Sequence, residues 1–207
     1  MKDLSEEDYE RKKKIAAGLF EVGGIKFGNF TLTSGKTSPY YVDLRIVPSH
    51  PKLFDKVCEV FADLVGEIRG DYKLAGVPTS GLPFATLVSQ KLNLPLLYVR
   101  KGERSHGRKK GIEGEFEKDE IVLIDDVSTT GGSLENAAET VEAEGGVVNH
   151  AVVFLDREEG AEQNLKNVGI DLHACFTISE LVECLRENSI LDEEKYSLIM
   201  ENLEENR

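Results

Sequence analysis

"IVLIDDVSTTGGS", residues 121–133, runs four apolar residues into two adjacent aspartates, then past Val127 into three hydroxyl residues, two glycines and a fourth hydroxyl. The apolar run reads as a buried strand, and "SLENAAETVEAEGG" after it as a helix with Leu134, Ala137, Ala138 and Val141 inward and a glycine stop. Thr129, Thr130, Gly131, Gly132 and Ser133 therefore lead directly into a helix start. Backbone N–H groups there have no intrahelical acceptor and sit at the positive end of the helix dipole, so they suit a phosphate. Glycines allow close approach, and hydroxyls add donors. An ordinary strand-to-helix turn with Ser133 as N-cap would use the same residues, but it has no need of Asp125 and Asp126. Two carboxylates beside an anion nest repel a phosphate unless they hold something else, such as sugar hydroxyls or a metal. A ligand with both a phosphate and a diol satisfies the whole stretch. The chain contains neither a Walker A sequence nor G-x-G-x-x-G, so triphosphatase and dinucleotide readings lack their fingerprint.

Working outward, residues 53–68 place Leu53, Val57, Val60, Phe61, Leu64, Val65 and Ile68 on one helical face. "KLAGV" reads as a strand ending at Pro78, and "PFATLVSQKL" as a helix opened by Pro83 at its first position. "LPLLYV", "EIVLI", "VVNHAVVFLD" and "LHACFTI" supply further strands. The alternation predicts an α/β fold, a mostly parallel sheet with helices on both faces, with ligands outside the carboxyl ends of the strands. The core spans about 50–178. The segments of about 1–49 and 179–207 fall outside the alternation and form a small flanking hood within a single domain.

The chain has 207 residues, 40% hydrophobic and 30% charged, which is enough for one packed, soluble domain. No apolar run approaches the roughly 20 residues of a membrane span, and the charged start "MKDLSEEDYERKKK" is not a secretory signal. Cys58, Cys175 and Cys184 have neither the number nor the spacing of a disulfide framework or zinc site, so the expected location is the cytoplasm, with reduced thiols. A net charge of −13 argues against a nucleic-acid partner. It does not exclude small anions, because screening over roughly 8 Å makes local charge decisive. Local charge is uneven: "RKGERSHGRKK", residues 100–110, carries six cations against one glutamate.

"VLIDDVSTTGGS" resembles the phosphoribosyl-diphosphate (PRPP) signature of the type I phosphoribosyltransferases. "FGNFTLTSGKTSPYYVDLR", residues 27–45, resembles the N-terminal motif of the orotate members, "RKGERSHG" their catalytic loop, and "FLDR" the pattern ending at Arg157. The likeness covers about residues 15–185 and implies the type I phosphoribosyltransferase fold. It also implies transfer of phosphoribosyl from PRPP to orotate, giving orotidine 5-monophosphate and diphosphate in pyrimidine biosynthesis. Asp125 and Asp126 would hold the ribose hydroxyls and favour positive charge on the ring. Val127, Ser128 and residues 129–133 would take the 5-phosphate end of PRPP, and Thr79, Ser80 and Gly81 of "PTSG" its diphosphate. Arg100, Lys101, Arg104 and His106 would close over the leaving group. Arg157, Thr129, Tyr41 and Val42 would contact orotate. The resemblance further implies Mg2+, held mainly by diphosphate and ribose oxygens with no protein ligand named, and a homodimer sharing the 100–110 loop across subunits.

The chain departs from the family pattern at three places, where relatives often carry lysine and this chain has Thr33, Ser80 and Arg104. Two alternatives keep the PRPP stretch. A phosphoribosyltransferase for another base would have no use for Arg157 or the 27–45 motif. A PRPP-sensing transcription regulator would need a helix-turn-helix, for which the roughly 20 residues before "IKFG" are too few.

Overall fold

A computed structural model of the chain describes residues 5–31, 35, 37–100 and 111–206. In chain order the elements are α1 (Glu6–Glu21), β1 (Ile25–Thr31), β2 (Thr37–Val42), a 3-10 helix (Leu44–Ser49), α2 (Pro51–Gly66), β3 (Tyr72–Gly76), α3 (Gly81–Leu92), β4 (Leu96–Val99) and β5 (Ile112–Glu113). They continue as β6 (Glu120–Ser128), α4 (Gly132–Glu142), β7 (Val147–Asp156), α5 (Ala161–Asn167), β8 (Asp171–Thr177), α6 (Ile178–Glu187) and α7 (Glu193–Asn206). The chain packs as two compact units, Val57–Cys175 and Met1–Lys56 with Phe176–Arg207.

The larger unit is built on a six-stranded sheet in the order β5-β4-β3-β6-β7-β8. β3 pairs in parallel with both β4 and β6, and β6 with β7, while the two-residue β5 closes the β4 edge antiparallel. The chain winds one way from β3 to β4 and the other from β6 to β7. The topological switch point therefore falls between β3 and β6, where such sheets open a crevice at the carboxyl ends. β6 is buried from Ile121 to Asp126 without alternation, as expected of a central strand covered on both faces. Ile121 and Leu123 pack with Leu134, Ala137, Ala138 and Val141 of α4 and Leu165 of α5. On the α2 and α3 side, Phe61 packs its ring 5.8 Å from Phe84 and 6.1 Å from Phe154. Each such side chain contributes about 1.5–3 kcal/mol by leaving water.

Four local expectations change. The strand predicted over 120–124 runs on to Ser128, because β7 is long enough to keep the ladder through Asp125–Val153 and Ser128–Asp156. The helix expected to open at Pro83 starts at Gly81, which puts Pro83 third; the missing N–H is tolerated there because first-turn donors have no intrahelical acceptor. The following helix is capped by Gly131, not Ser133, with Gly131 at φ 86°, and it ends at Glu142. The short β5 and α5 have no counterpart among the sequence-derived elements. The three cysteines are buried.

In the flanking unit β1 and β2 form an antiparallel hairpin. α6 opens with a capping box in which Thr177 and Glu180 satisfy each other's backbone donors. Glu180 also receives Lys12 of α1 at 3.1 Å, and Asn188 donates to the Lys13 carbonyl at 2.9 Å, so α1 and α6 are tied at two levels. No helix among the described residues is long and apolar enough to cross a membrane.

Candidate active site at the carboxyl ends of β3 and β6

Two turns leave the sheet at the switch point. The first, Pro78, Thr79 and Ser80, follows β3; the Val77 N–H bonds the Ile124 carbonyl at 2.9 Å, and the Pro78–Thr79 peptide is cis. Thr79 is exposed and Ser80 half-buried. Gly81 lies so close to β6 that a Cβ would stand 2.5 Å from the Ile124 carbonyl oxygen and 2.9 Å from Asp125 Oδ1. That absence of a side chain brings the two turns together.

The second turn holds the acidic pair. Asp125 and Asp126 are only 6% and 8% exposed, and Asp125 Oδ1 accepts the Asp126 N–H at 2.9 Å. Burial first, and then the charge of Asp126, push the Asp125 carboxyl up to about 8. A carboxyl in that state gives up its proton readily only when positive charge arrives next to it. Ser128 ends the strand with its hydroxyl buried and without a hydrogen-bond partner among the described residues.

From Thr130 the backbone carbonyls turn away one after another. The Thr130 oxygen accepts from Asn164 Nδ2 at 3.0 Å, the Gly131 oxygen from the Glu135 N–H at 2.9 Å, and the Gly132 oxygen from Asn136 Nδ2 at 2.7 Å. A trans peptide carries its C=O and the next N–H on opposite sides. The N–H groups of Gly131, Gly132 and Ser133 therefore face away from those acceptors, at the start of α4, which makes a nest for an anion.

β7 ends one turn further along the sheet. The Arg157 N–H donates to the Ser128 carbonyl at 2.9 Å. Buried Asp156 accepts the Glu158 N–H at 3.0 Å, and Glu158 takes a left-handed conformation at φ 58°. The Arg157 guanidinium pairs with Glu159 at 2.8 Å. Burial, followed by the Glu158, Glu162 and Glu159 charges, raises the Asp156 carboxyl above the usual range, against the lowering effect of that accepted N–H.

Residues 46–172 match the phosphoribosyl transferase domain. Orotate phosphoribosyltransferase from Sulfolobus acidocaldarius is 42% identical over 182 residues, 88% of this chain and 92% of that protein. This chain belongs to the orotate phosphoribosyltransferase family. Among solved structures, orotate phosphoribosyltransferase from Aeropyrum pernix is 32% identical with a TM-score of 0.77, covering 84% of this chain and 98% of that one. UMP synthase from Leishmania donovani is also 32% identical, with a TM-score of 0.84, and the match covers 94% of this chain and 42% of that chain.

Within this phosphoribosyltransferase fold, the sequence-derived residues Thr79, Ser80, Gly81 and 125–133 gather on the two turns that flank the switch point. Arg100 stands at the end of β4, exposed, with its guanidinium on Glu113 at 3.0 Å and its N–H on the Gly111 carbonyl. Lys101, Arg104 and His106 lie outside the described residues, as does Thr33. In the flanking unit, Val42 ends β2 opposite Ile25. Tyr41 packs its ring 5.7 Å from Phe30, and its hydroxyl accepts from Arg45 at 3.3 Å. Arg45 in turn grips Asp43 and holds that carboxyl below its usual range. Tyr40 is a buried packing aromatic.

Sequence reasoning missed Asp156, Glu159 and Asn164. A signal for the first was present in "DREEG": an aspartate two residues before a turn residue commonly accepts its N–H. Nothing local marked Asn164, whose partner is 34 residues away.

Proposed function

We propose that the chain carries out the reaction of its family with magnesium, transferring phosphoribosyl from PRPP to orotate with release of diphosphate. The observation that carries this reading is the buried Asp125–Asp126 pair running straight into the Thr130–Ser133 nest. The nest takes the 5-phosphate, and the carboxylates accept the ribose hydroxyls. As the bond to diphosphate breaks, the ring gains oxocarbenium character, and the buried carboxylates meet the positive charge they lack in the free chain. Stabilisation that grows from ground state to transition state raises turnover rather than affinity. Thr79, Ser80 and Gly81 face the diphosphate. Orotate's carboxylate pairs with the Arg157 fork, whose planar geometry matches it, and Thr129 adds a further contact.

Among the described residues no three acidic, histidine or cysteine side chains converge as a metal cage. Magnesium would be held by diphosphate and ribose oxygens and water, the usual habit of that ion with phosphate ligands. When bound it neutralises the leaving group. Arg100 would add positive charge there, together with Lys101, Arg104 and His106, which lie outside the described residues, and the chain would work as a homodimer. Sedimentation at two concentrations checks the dimer. Three buried cysteines suit a cytoplasmic location.

The direct test follows loss of orotate's ultraviolet absorbance with PRPP and magnesium, with adenine, hypoxanthine and uracil run alongside by product chromatography. Turnover of orotate alone, abolished by a chelator, is the expected result. Binding of PRPP without turnover of any base would overturn the reading in favour of a PRPP sensor.

A further inference from the structure

We infer that Asn164 of α5 is a positioning residue for the phosphate nest, which it orients by fixing the Thr130–Gly131 peptide. The inference rests on the reading that residues 129–133 cradle the 5-phosphate, and it adds a residue that touches no substrate.

Three observations converge. Asn164 Nδ2 donates to the Thr130 carbonyl at 3.0 Å. Gly131, the residue after that peptide, sits at φ 86°, ψ −6°, a region glycine enters without steric cost. Glycine also allows the preceding peptide to rotate between orientations with little side-chain hindrance. The neighbouring residue on α5, Leu165, is buried and lies against Gly131, where a Cβ would come 3.0 Å from its Cγ and 3.5 Å from the Ala161 carbonyl oxygen. α5 therefore backs the turn with an apolar contact and aims a donor at the one carbonyl that α4 does not engage. Gly131 and Gly132 carbonyls are held by Glu135 and Asn136 of α4 itself. Only the Thr130 carbonyl depends on a residue from another element.

The geometry has a direct consequence. With its oxygen on Asn164, the planar Thr130–Gly131 unit must present the Gly131 N–H to the opposite side, toward the nest. If the peptide turned over, a carbonyl oxygen would replace that N–H and repel a phosphate. Asn164 is solvent-exposed, so the bond has a modest net value. Its loss should weaken phosphate binding about fivefold, not abolish it.

The test uses the full chain as wild type, Asn164→Ala and Asn164→Asp. Ribose 5-phosphate, which carries the phosphate but no diphosphate, is titrated by calorimetry and by amide NMR. Steady-state KM is measured for PRPP and for orotate. In wild type the Gly131, Gly132 and Ser133 amide resonances should shift on titration. Asn164→Ala should raise the ribose 5-phosphate Kd and the PRPP KM about fivefold, leave the orotate KM within twofold, and reduce the Gly131 shift most. Asn164→Asp, which replaces the donor by a negative acceptor, should raise both PRPP-side constants further. If the wild-type amides do not respond to ribose 5-phosphate, the phosphate reading of the turn fails. If they respond in wild type and both variants bind ribose 5-phosphate as tightly, the positioning role fails while that reading stands. An equal rise in both substrates' KM with a lower Tm would also overturn it, because a merely structural residue behaves that way.

Discussion

The turns after β3 and β6 both lead from a central strand into a helix beside the switch point, yet they use glycine for different reasons. After β6, Gly131 takes a left-handed backbone at φ 86° and caps α4, and the carbonyls around it are drawn off so that N–H groups face one side. After β3, Ser80 caps α3 in a right-handed conformation without a side-chain bond, and Gly81 is needed for space, because β6 passes where its Cβ would be. One glycine shapes the backbone of the proposed phosphate nest. The other lets two strands' ends share one crevice. Both requirements meet at Asp125, which borders Gly81 and precedes the nest.

The comparison can be broken most sharply at that shared residue. Asp125→Asn keeps shape and removes the charge proposed to meet the developing cation; kcat should fall on the order of a hundredfold, as for loss of one preorganised electrostatic group. Near-normal kcat in this variant would remove Asp125 from the chemistry. The same substitution tests the raised carboxyl. Its folded value of about 8 lies above the unfolded value of about 4. Between those pH values the folded chain keeps a proton that the unfolded chain has released, so Asp125 makes stability fall as pH rises through this window. Denaturant melts at pH 5 and pH 8 should show wild type losing several kcal/mol more than Asp125→Asn. Parallel losses would mean that the pair is less strained than its burial indicates.

Gly81→Ala should come next. Its Cβ meets backbone, which cannot swing aside as a side chain can, so the cost is about 2–3 kcal/mol of stability, read by denaturant midpoint. Both substrates' constants should worsen together as the turns are pushed apart. Gly131→Ala should be milder in stability, about 1–2 kcal/mol for forcing an alanine into the left-handed region, because the nearest atoms belong to the Leu165 side chain. Its effect on substrates should be selective, raising the KM for PRPP and sparing orotate. If the two alanine variants gave the same pattern, the distinction between a packing glycine and a ligand glycine would collapse.

Much of the architecture was legible along the chain because central parallel strands are apolar runs and their helices have apolar faces of period 3.6. Residues 120–124 and 147–156, and the apolar face from Leu53 to Val65, needed no tertiary knowledge. The misses share a physical cause. α5, "AEQNLKN", has seven residues and buries only Ala161 and Leu165, too few turns for a period to register. β5 is two residues that pair only because β4 offers an edge. The extension of β6 through Asp125, Asp126 and Ser128 depends on the length of β7, which no local pattern in 125–128 encodes.

The sequence by itself determined the chemistry on offer: adjacent carboxylates, a glycine-hydroxyl turn before a helix, and the resemblance these residues carry. Those are local properties, set by residue type and spacing. Only the tertiary structure decided how that chemistry is presented. It buried the aspartates and so raised Asp125, set Gly81 against β6, placed Glu159 on Arg157, and brought Asn164 across 34 residues to the Thr130 carbonyl. Desolvation and peptide orientation are properties of neighbours in space, and a chain read residue by residue does not contain them.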